Sequence, residues 1–472
     1  MSRTIAVIGA GVSGLTVACE LIQRSQRSPG GVEVICMESS DRPGGNIRSK
    51  RADGYTYEWG PTGFLDNSPA TLTLIRRLEL DERRVTAAPE SETRYIYRKG
   101  KLRCVPTGPG SAITSGVLSP PGLLRLLGEP FARAARDDDE SVFDFARRRI
   151  GREAASILVD AMVSGVYAGD TKKLSLRATF PRMYELETEY RGLFRAMLAL
   201  RKKAKREGTE VGGPAGPRGK LTSFRHGMQE LIDALVKVVG PRLRTNIGVR
   251  SISDMGIRGF RIHFNEGAPQ DVDAVVLACP SWHAAGMVAE MDPEMAEAME
   301  AIPSAPLAVV HFGYRAAALG DQPTGFGFLV PRRQGPRILG TLWVSDFFPE
   351  RAPERGRLLT TMIGGAHDPG AARLPEPDLI EIARRDLHRI MGIATAPYFV
   401  RVIRHRNGIP QYTRGHLDRV ATIQRRQDDH GGLWICGNSY HGISVNACIE
   451  QAPAIAEQAL QYLTRSSNAA AL

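Results

Sequence analysis

Thr4-Ile5-Ala6-Val7-Ile8-Gly9-Ala10-Gly11-Val12-Ser13-Gly14 opens the 472-residue sequence with an apolar run that turns abruptly into glycines. A run of that kind is a strand buried on both faces of a parallel sheet. Residues 15–24 continue as a helix, and a loop through Pro29, Gly30 and Gly31 leads to a second apolar strand, Val32-Glu33-Val34-Ile35-Cys36-Met37, closed by Glu38. Strand, glycine turn, helix, strand and acid, in that order, make a dinucleotide-binding βαβ unit. The first glycine permits the tight turn, the second lets backbone approach a pyrophosphate, and the third packs helix against strand. The helix N-terminus offers unpaired N–H groups to the phosphates. Gly9, Ala10, Gly11, Val12, Ser13 and Gly14 are therefore the predicted phosphate contacts, and Glu38 with Ser39 the predicted ribose end.

Two further apolar strands lie far away in sequence. Asp273-Ala274-Val275-Val276-Leu277-Ala278 is stopped by Pro280, and Leu433-Trp434-Ile435-Cys436-Gly437 precedes a helical stretch from about 446 to 463. Together with the first two they predict one sheet assembled from distant segments. Between them, residues 107–200 have a helical pattern. Residues 285–400 alternate apolar and polar, as in Leu307-Ala308-Val309-Val310-His311-Phe312, which suits a mixed or antiparallel sheet. Arg201-Lys202-Lys203-Ala204-Lys205-Arg206 followed by Gly212-Gly213-Pro214-Ala215-Gly216-Pro217 reads as a basic, mobile connector. The expected fold class is α/β and α+β multidomain: a discontinuous Rossmann-type domain (1–80, 207–284, 402–472), a mixed-sheet domain (81–106, 285–401) and a helical domain (107–206).

Hydrophobic content of 42% and charged content of 24% suit a soluble globular protein of two or three domains. No run reaches the ~20 apolar residues of a membrane span. Met1-Ser2-Arg3-Thr4 runs directly into the first strand, predicting retention on the cytoplasmic side. The six cysteines (Cys19, Cys36, Cys104, Cys279, Cys436, Cys448) form no C-x-x-C pair, predicting reduced thiols and no zinc. The net charge of +11 is spread along the chain without interleaved aromatics, which argues against nucleic acid. An anionic lipid surface or a carboxylate-bearing substrate stays open as its counterpart. The motifs contain no Ser-His-Asp set, metal cluster or acid pair.

The residues after Glu38 narrow the ligand. Glu38-Ser39-Ser40-Asp41-Arg42-Pro43-Gly44-Gly45-Asn46-Ile47-Arg48-Ser49 resembles the E-x-x-x-x-x-G-G-x-x-x-S extension of the amine-oxidase-like flavoproteins. Glu58-Trp59-Gly60-Pro61-Thr62-Gly63 resembles their next flavin-contacting loop. Within that superfamily, Arg94-Tyr95-Ile96-Tyr97, Leu102-Arg103-Cys104-Val105-Pro106-Thr107-Gly108, Gly165-Val166-Tyr167-Ala168-Gly169-Asp170, Gly325-Phe326-Gly327-Phe328-Leu329-Val330-Pro331, Ile409-Pro410-Gln411-Tyr412-Thr413-Arg414-Gly415-His416 and Gly437-Asn438-Ser439-Tyr440-His441-Gly442-Ile443-Ser444-Val445-Asn446-Ala447-Cys448-Ile449-Glu450 are similar, in order, to the protoporphyrinogen oxidase family.

The resemblance implies noncovalent FAD and oxidation of protoporphyrinogen IX to protoporphyrin IX in haem biosynthesis, six electrons in three flavin cycles, with O2 as acceptor and peroxide as product. It implies that Gly44, Gly45, Asn46, Gly60, Pro61, Thr62, Gly63, Val249 (adenine side), Gly437, Val445, Asn446 and Ala447 contact the cofactor. Arg94 becomes a propionate anchor, Phe326, Leu329, Leu339 and Met362 the pocket lining, and Gly165 and Gly169 points of close backbone approach. No catalytic base is assigned. The S-G-G-C-Y setting through which monoamine oxidases tether flavin is absent, so Cys448 is expected to be unbonded to it. Gln451-Ala452-Pro453 departs from the family's serine–glycine and leaves the start of the last helix open. Leu123, Leu124, Leu126, Leu127 and Phe131, flanked by Arg125, Arg133 and Arg136, suggest peripheral contact with a membrane surface; a homodimer is a further option. Coproporphyrinogen III as substrate, an amine oxidase or carotenoid desaturase on the same scaffold, and a flavin or porphyrin carrier are the alternatives.

Overall fold

In the first strand, alternate side chains of the opening apolar run enter two different cores. Ile5 and Val7 pack on one side of a parallel sheet, Ala6 and Ile8 on the other. The computed structural model describes residues 3–26, 31–106, 108–135, 137–207 and 219–470; Pro29, Gly30, Thr107, Arg136 and the 212–217 stretch lie outside them. The sheet has five parallel strands in the order Leu243–Arg244, Val32–Met37, Arg3–Ile8, Ala274–Leu277 and Leu433–Ile435. Helix Val12–Ser25 packs on one face with Gln229–Val239 and Ala452–Ala470. A three-stranded antiparallel sheet (Val249–Asp254, Phe260–Phe264, Gln270–Val272) and helices Ser281–Val288 and Pro293–Glu300 cover the other.

The second body is a seven-stranded mixed sheet, in the order Phe399–Pro410, Ser304–Arg315, Gly356–Gly364, Ile338–Trp343, Gly327–Leu329, Arg94–Arg98 and Lys101–Cys104. Only the Gly327–Leu329 and Arg94–Arg98 pair runs parallel. Helix Glu376–Met391 seals one face through Leu379, Ile382, Ala383 and Leu387. The opposite face turns toward the strand Tyr55–Glu58, which joins it to the nucleotide body, and keeps several apolar side chains only partly covered.

The described residues of 109–207 form helices joined by loops. Their packing centres on Arg148 and Arg149, which bind Glu140, Glu187 and the fully buried Glu129. Glu129 in turn accepts the N–H groups of Leu193 (2.7 Å) and Phe194 (3.1 Å). Removing one member of such a buried charge set costs about 3–5 kcal/mol.

Three expectations are corrected. Arg201–Arg206 is not a connector but the end of helix Leu193–Glu207, because its apolar positions keep a helical period up to the basic run. The boundary at 401/402 falls inside one continuous strand, Phe399–Pro410, so residues 402–410 belong to the seven-stranded sheet. Residues 285–302 pack with the nucleotide body: Ala285, Val288, Met295, Met299 and Ile302 lie in its core. The C-terminal helix left open by Gln451 is two helices, Val445–Glu450 and Ala452–Ala470.

Candidate active site

Gly9 sits at φ +101°, a backbone region that side chains disfavour, and its N–H donates to the Met37 carbonyl (2.8 Å). A Cβ on Gly14 would overlap the Gly9 carbonyl oxygen, whereas a Cβ on Gly11 would meet nothing within 4 Å. The turn is thus closed on its protein side and open on its outer side, at the start of helix Val12–Ser25, where Gly11 supplies no side-chain cap. The first-turn N–H groups of that helix, including those of Val12 and Ser13, are left for a ligand. Gly44 donates to the Ala10 carbonyl (2.7 Å), and Gly45 lies against Gly11 with the exposed Asn46 beside it. Ser13 points inward to the Cys448 thiol.

Glu38 is held in place beside the turn. One oxygen accepts the Ala10 N–H (3.0 Å), and the other accepts the Ser40 N–H (2.9 Å) and hydroxyl (2.7 Å), with the Ser39 hydroxyl at 3.4 Å. A carboxylate has lone pairs beyond these for a ribose hydroxyl. Ile247 donates to the Glu38 carbonyl (2.9 Å) and Asn246 to that of Ser40 (3.0 Å), which brings the strand beginning at Val249 alongside.

The loop from Gly60 through Pro61 and Thr62 to Gly63 is wedged tightly. Cβ atoms on Gly60 and Gly63 would overlap the carbonyls of Asn46 and Thr222. Its position is fixed by buried Glu58, two residues before it, an acid that the sequence motif contained but to which no partner was assigned. The Glu58 carboxyl accepts from Ser49 Oγ (2.5 Å) and the Met228 N–H (3.0 Å), and Arg351 Nη2 lies at 3.4 Å. Burial pushes this carboxyl up to about 7 against the pull of Arg351. His311, from the seven-stranded sheet, makes contact with the Glu58 carbonyl through Nε2 (3.0 Å) and with Thr360 Oγ1 through Nδ1 (2.9 Å); burial holds it neutral, down to about 4. The Glu-Trp-Gly-Pro order was the available signal, since an acid two residues before a close-packed loop needs partners.

At the C-terminal end, Gln451 secures the Gly437–His441 loop. Its Oε1 accepts the Gly437 N–H (3.0 Å), and its amide donates to His441 O (3.2 Å) and Ala447 O (2.8 Å). Ser444 caps helix Val445–Glu450 by accepting the Ala447 N–H (3.1 Å). The Asn446 side chain is committed to Leu65 O (2.8 Å) and Thr71 Oγ1 (3.0 Å), so its backbone is what the open side is left with. The Cys448 thiol is buried and raised by burial.

On the second body, Arg94 is exposed on its strand, with its guanidinium over the Phe326 ring (5.0 Å). Phe326 stacks on Phe347 at 4.9 Å. No carboxylate among the described residues lies within ion-pair distance of Arg94. Phe326, Leu339 and Met362 share the partly covered apolar face with Trp59 of the loop. Leu329, one strand over, meets helix Asp160–Tyr167: a Cβ on Gly165 would fall 2.8 Å from its Cδ2. Gly169 is set back, buried against Leu174 and Gln411. Arg332, absent from the predicted site, clamps this helix by bonding Asp160 (2.6 and 2.8 Å) and Thr171 Oγ1 (3.1 Å).

The chain thus presents two kinds of surface, a backbone turn open at a helix N-terminus and a half-covered apolar face edged by Arg94, which has no ion pair among the described residues. Burial raises the thiols of Cys36 and half-buried Cys279 to about 12, so neither supplies a thiolate. Among the described residues, no group of three or more His, Cys, Asp or Glu is placed to hold a metal. A flavin dinucleotide along the Gly11 side fits these residues and would supply two-electron acceptance, while the chain supplies orientation and exclusion of water.

Comparison with known proteins agrees. The sequence profile of the flavin containing amine oxidoreductase family matches residues 12–460. Chloroplast protoporphyrinogen oxidase of Nicotiana tabacum is 32% identical, over 97% of this chain and 86% of its own. Human protoporphyrinogen oxidase is 30% identical over 95% and 97%, and coproporphyrinogen III oxidase of Bacillus subtilis 29% over 98% of both. The fold superposes on a crystal structure from Exiguobacterium with a TM-score of 0.80, covering 97% of this chain and 98% of that one at 22% identity. Cyclohexylamine oxidase of Brevibacterium oxydans gives a TM-score of 0.69, over 97% and 99%, at 16% identity. The chain belongs to the flavin containing amine oxidoreductase family and is an FAD-dependent oxidoreductase.

Proposed function

We infer that this enzyme oxidises protoporphyrinogen IX to protoporphyrin IX, with O2 as acceptor and three H2O2 formed per macrocycle. The observation that carries the reading is Arg94, a guanidinium with no acidic partner among the described residues, at the edge of the apolar wall formed by Phe326, Leu339 and Met362, with Leu329 beside it on the neighbouring strand. An apolar disc bearing propionates is the complement of that surface: the wall takes the ring and the arginine one carboxylate. The full-length match to protoporphyrinogen oxidases supports the same substrate. FAD lies, in this reading, against Gly9–Gly14, Glu38, Gly44–Asn46, Gly60–Gly63, Val249 and Gly437 with Val445–Ala447. The test is anaerobic mixing of the FAD-loaded chain with protoporphyrinogen IX, then admission of air. Bleaching of the flavin followed by O2 uptake and porphyrin fluorescence is expected; an unbleached flavin refutes the reading.

The Bacillus subtilis relative favours a second reading, oxidation of coproporphyrinogen III, because the two chains match end to end. Initial rates on the two porphyrinogens side by side decide between them.

The exposed side chains of Leu124, Leu127 and Phe131, with Ile113 and Leu198 on the same helical part, form a candidate contact with an anionic membrane surface beside Arg125 and Arg133; Leu123 and Leu126 are half-covered. No helix among the described residues is long and apolar enough to cross a membrane, so the contact would be peripheral. Co-flotation with phosphatidylglycerol vesicles, lost in Phe131→Ser, is expected.

A further inference from the structure

The backbone that leads into the Gly60–Gly63 loop is held by two histidines. Strand Tyr55–Glu58 pairs with Ser49–Ala52 and, among the described residues, with no other strand, so its second edge is open to side chains. His311 Nε2 stands 3.0 Å from the Glu58 carbonyl, and His405 Nε2 stands 2.7 Å from the carbonyl of Trp59. A carbonyl only accepts, so each ring carries a hydrogen on Nε2 and donates it. Thr360 Oγ1, 2.9 Å from His311 Nδ1, is the donor on that ring's other side. Burial draws both imidazoles below the usual histidine range, so both are neutral at pH 7.

Both rings rise from the face of the seven-stranded sheet that carries the apolar wall. Leu307, Val309 and His311 share one face of their strand. Leu307 pairs with His405 on the neighbouring strand, while Val309 pairs with Ile403 there and with Met362 on its other side. Leu307, Val309, Ile403 and Met362 lie on the partly covered face with the Trp59 side chain. The two histidine levels are roughly 13 Å apart along the sheet at the usual rise per residue. The carbonyls they reach nevertheless belong to adjacent residues. The imidazoles therefore converge, from separate points of the wall, on the last two peptides before the loop. From the nucleotide side the same segment is gripped by backbone: Trp59 donates to the Arg48 carbonyl (2.8 Å), and a Cβ on Gly60 would overlap the Asn46 carbonyl. With one ring removed, a carbonyl at this junction loses its donor, and the segment shifts to recover one.

We propose that His311 and His405 are positioning residues of the redox step, a pair that sets the height of the Gly60–Gly63 loop over the wall and so the spacing between flavin and macrocycle. The proposal rests on the porphyrinogen reading above, and both rings act through the loop. The lead variant is His405→Leu, because His405 is half-buried where His311 is fully buried. His405→Gln is its rescue, since the amide nitrogen can stand where Nε2 stands. His311→Asn, too short to reach the Glu58 carbonyl, and His311→Gln, long enough, repeat the contrast. Two measurements use the full chain: hydrogen–deuterium exchange of segment 58–63 without FAD, and anaerobic bleaching of bound FAD by saturating protoporphyrinogen IX. In His405→Leu and His311→Asn, exchange should quicken, and bleaching should slow about tenfold at unchanged half-saturation and FAD content, since misplacement by about 1 Å is costly in a transfer step. The glutamine variants should regain most of both. Should His405→Leu fail to fold, His405→Asn takes its place. Parental exchange and bleaching in the short variants, or losses that glutamine does not relieve, overturn the proposal. Faster exchange with parental bleaching makes the pair merely structural and overturns it too. A parent whose flavin porphyrinogen does not bleach, but whose loop exchange responds to the variants, refutes the porphyrinogen reading and keeps the two histidines as the loop's anchors.

Discussion

The glycine turn and the half-covered apolar face, the two halves of the proposed site, are built from different materials. The turn is backbone: Gly9, Gly11 and Gly14 act through what they lack, and the partner supplied is a row of N–H groups. The wall is side chain: Phe326, Leu339 and Met362 act through the area they keep half exposed, and Arg94 through a charge kept unpaired. A backbone site tolerates no added atom on its protein side, whereas a side-chain site can be altered with the fold intact.

The largest effect separates two glycines of the same turn. Gly14→Ala places a methyl on the Gly9 carbonyl and crowds Ala278, so about 1–3 kcal/mol or more of stability is lost and flavin is not retained. Gly11→Ala, with ordinary extended φ and open space around it, should leave the apo-protein's melting unchanged and weaken FAD alone. Thermal melts with and without added FAD check both. Equal melting losses in the two variants would break the distinction between the closed and open sides of the turn.

Arg94→Ala is next, and its effect falls on catalysis alone. An exposed arginine without an ion pair contributes within about 0.5 kcal/mol to stability, so flavin content and melting stay put. A charged hydrogen bond to a carboxylate is worth about 1.5–3 kcal/mol, so kcat/KM should fall at least about tenfold. Steady-state rates measure this, with Arg94→Lys intermediate.

The seam between the two regions gives a pH prediction. His311, with its pKa near 4 in the folded protein against an unfolded value near 6.5, is neutral when native, so its contribution is complete above about pH 6.5 and is lost as pH falls toward 4, by roughly 3 kcal/mol at most. His416, drawn down to about 4 by burial, adds in the same direction. Glu58, raised to about 7, acts oppositely: its contribution is present at low pH and fades as pH rises from about 4.5 to 7. Melting of the parent should therefore fall between pH 6.5 and 4.5, and fall less in His311→Gln. An identical pH profile for the two proteins would remove His311 from the seam.

The two materials also explain what could be read before the structure. The turn was legible because backbone constraints act over a few adjacent residues: strand, glycines and Glu38 follow one another, and the register of Ile5 with Ala274 and Val34 carries the rest of the parallel sheet. The wall was legible only through family resemblance, because Arg94, Leu329 and Met362 come together by pairing between strands far apart in sequence. Glu58 and Arg351, Asp160 and Arg332, and Gln451 with Gly437 stayed hidden for the same reason, since a lone charged residue or glutamine has no sequence period that names its partner. The basic run 201–206 misled because charge resembles a loop even when a helix carries it.

The smallest effect sharpens the contrast within a single strand. Ile363 and its neighbour Met362 point to opposite faces of Gly356–Gly364, Ile363 into the sealed core under helix Glu376–Met391 and Met362 onto the open wall. Ile363→Ala should cost about 2–5 kcal/mol, the usual range for a fully buried aliphatic truncation. Met362→Ala removes a side chain already partly in contact with water, so the lost transfer energy is a fraction of that, about 1 kcal/mol or less. If the wall exists to receive an apolar ring, Met362→Ala should nonetheless raise KM for the porphyrinogen while Ile363→Ala, at temperatures where it stays folded, does not. Denaturant melts and KM values on this one pair would show which face of the sheet is held for the substrate; a Met362→Ala loss as large as that of Ile363→Ala would mean that the wall is ordinary core.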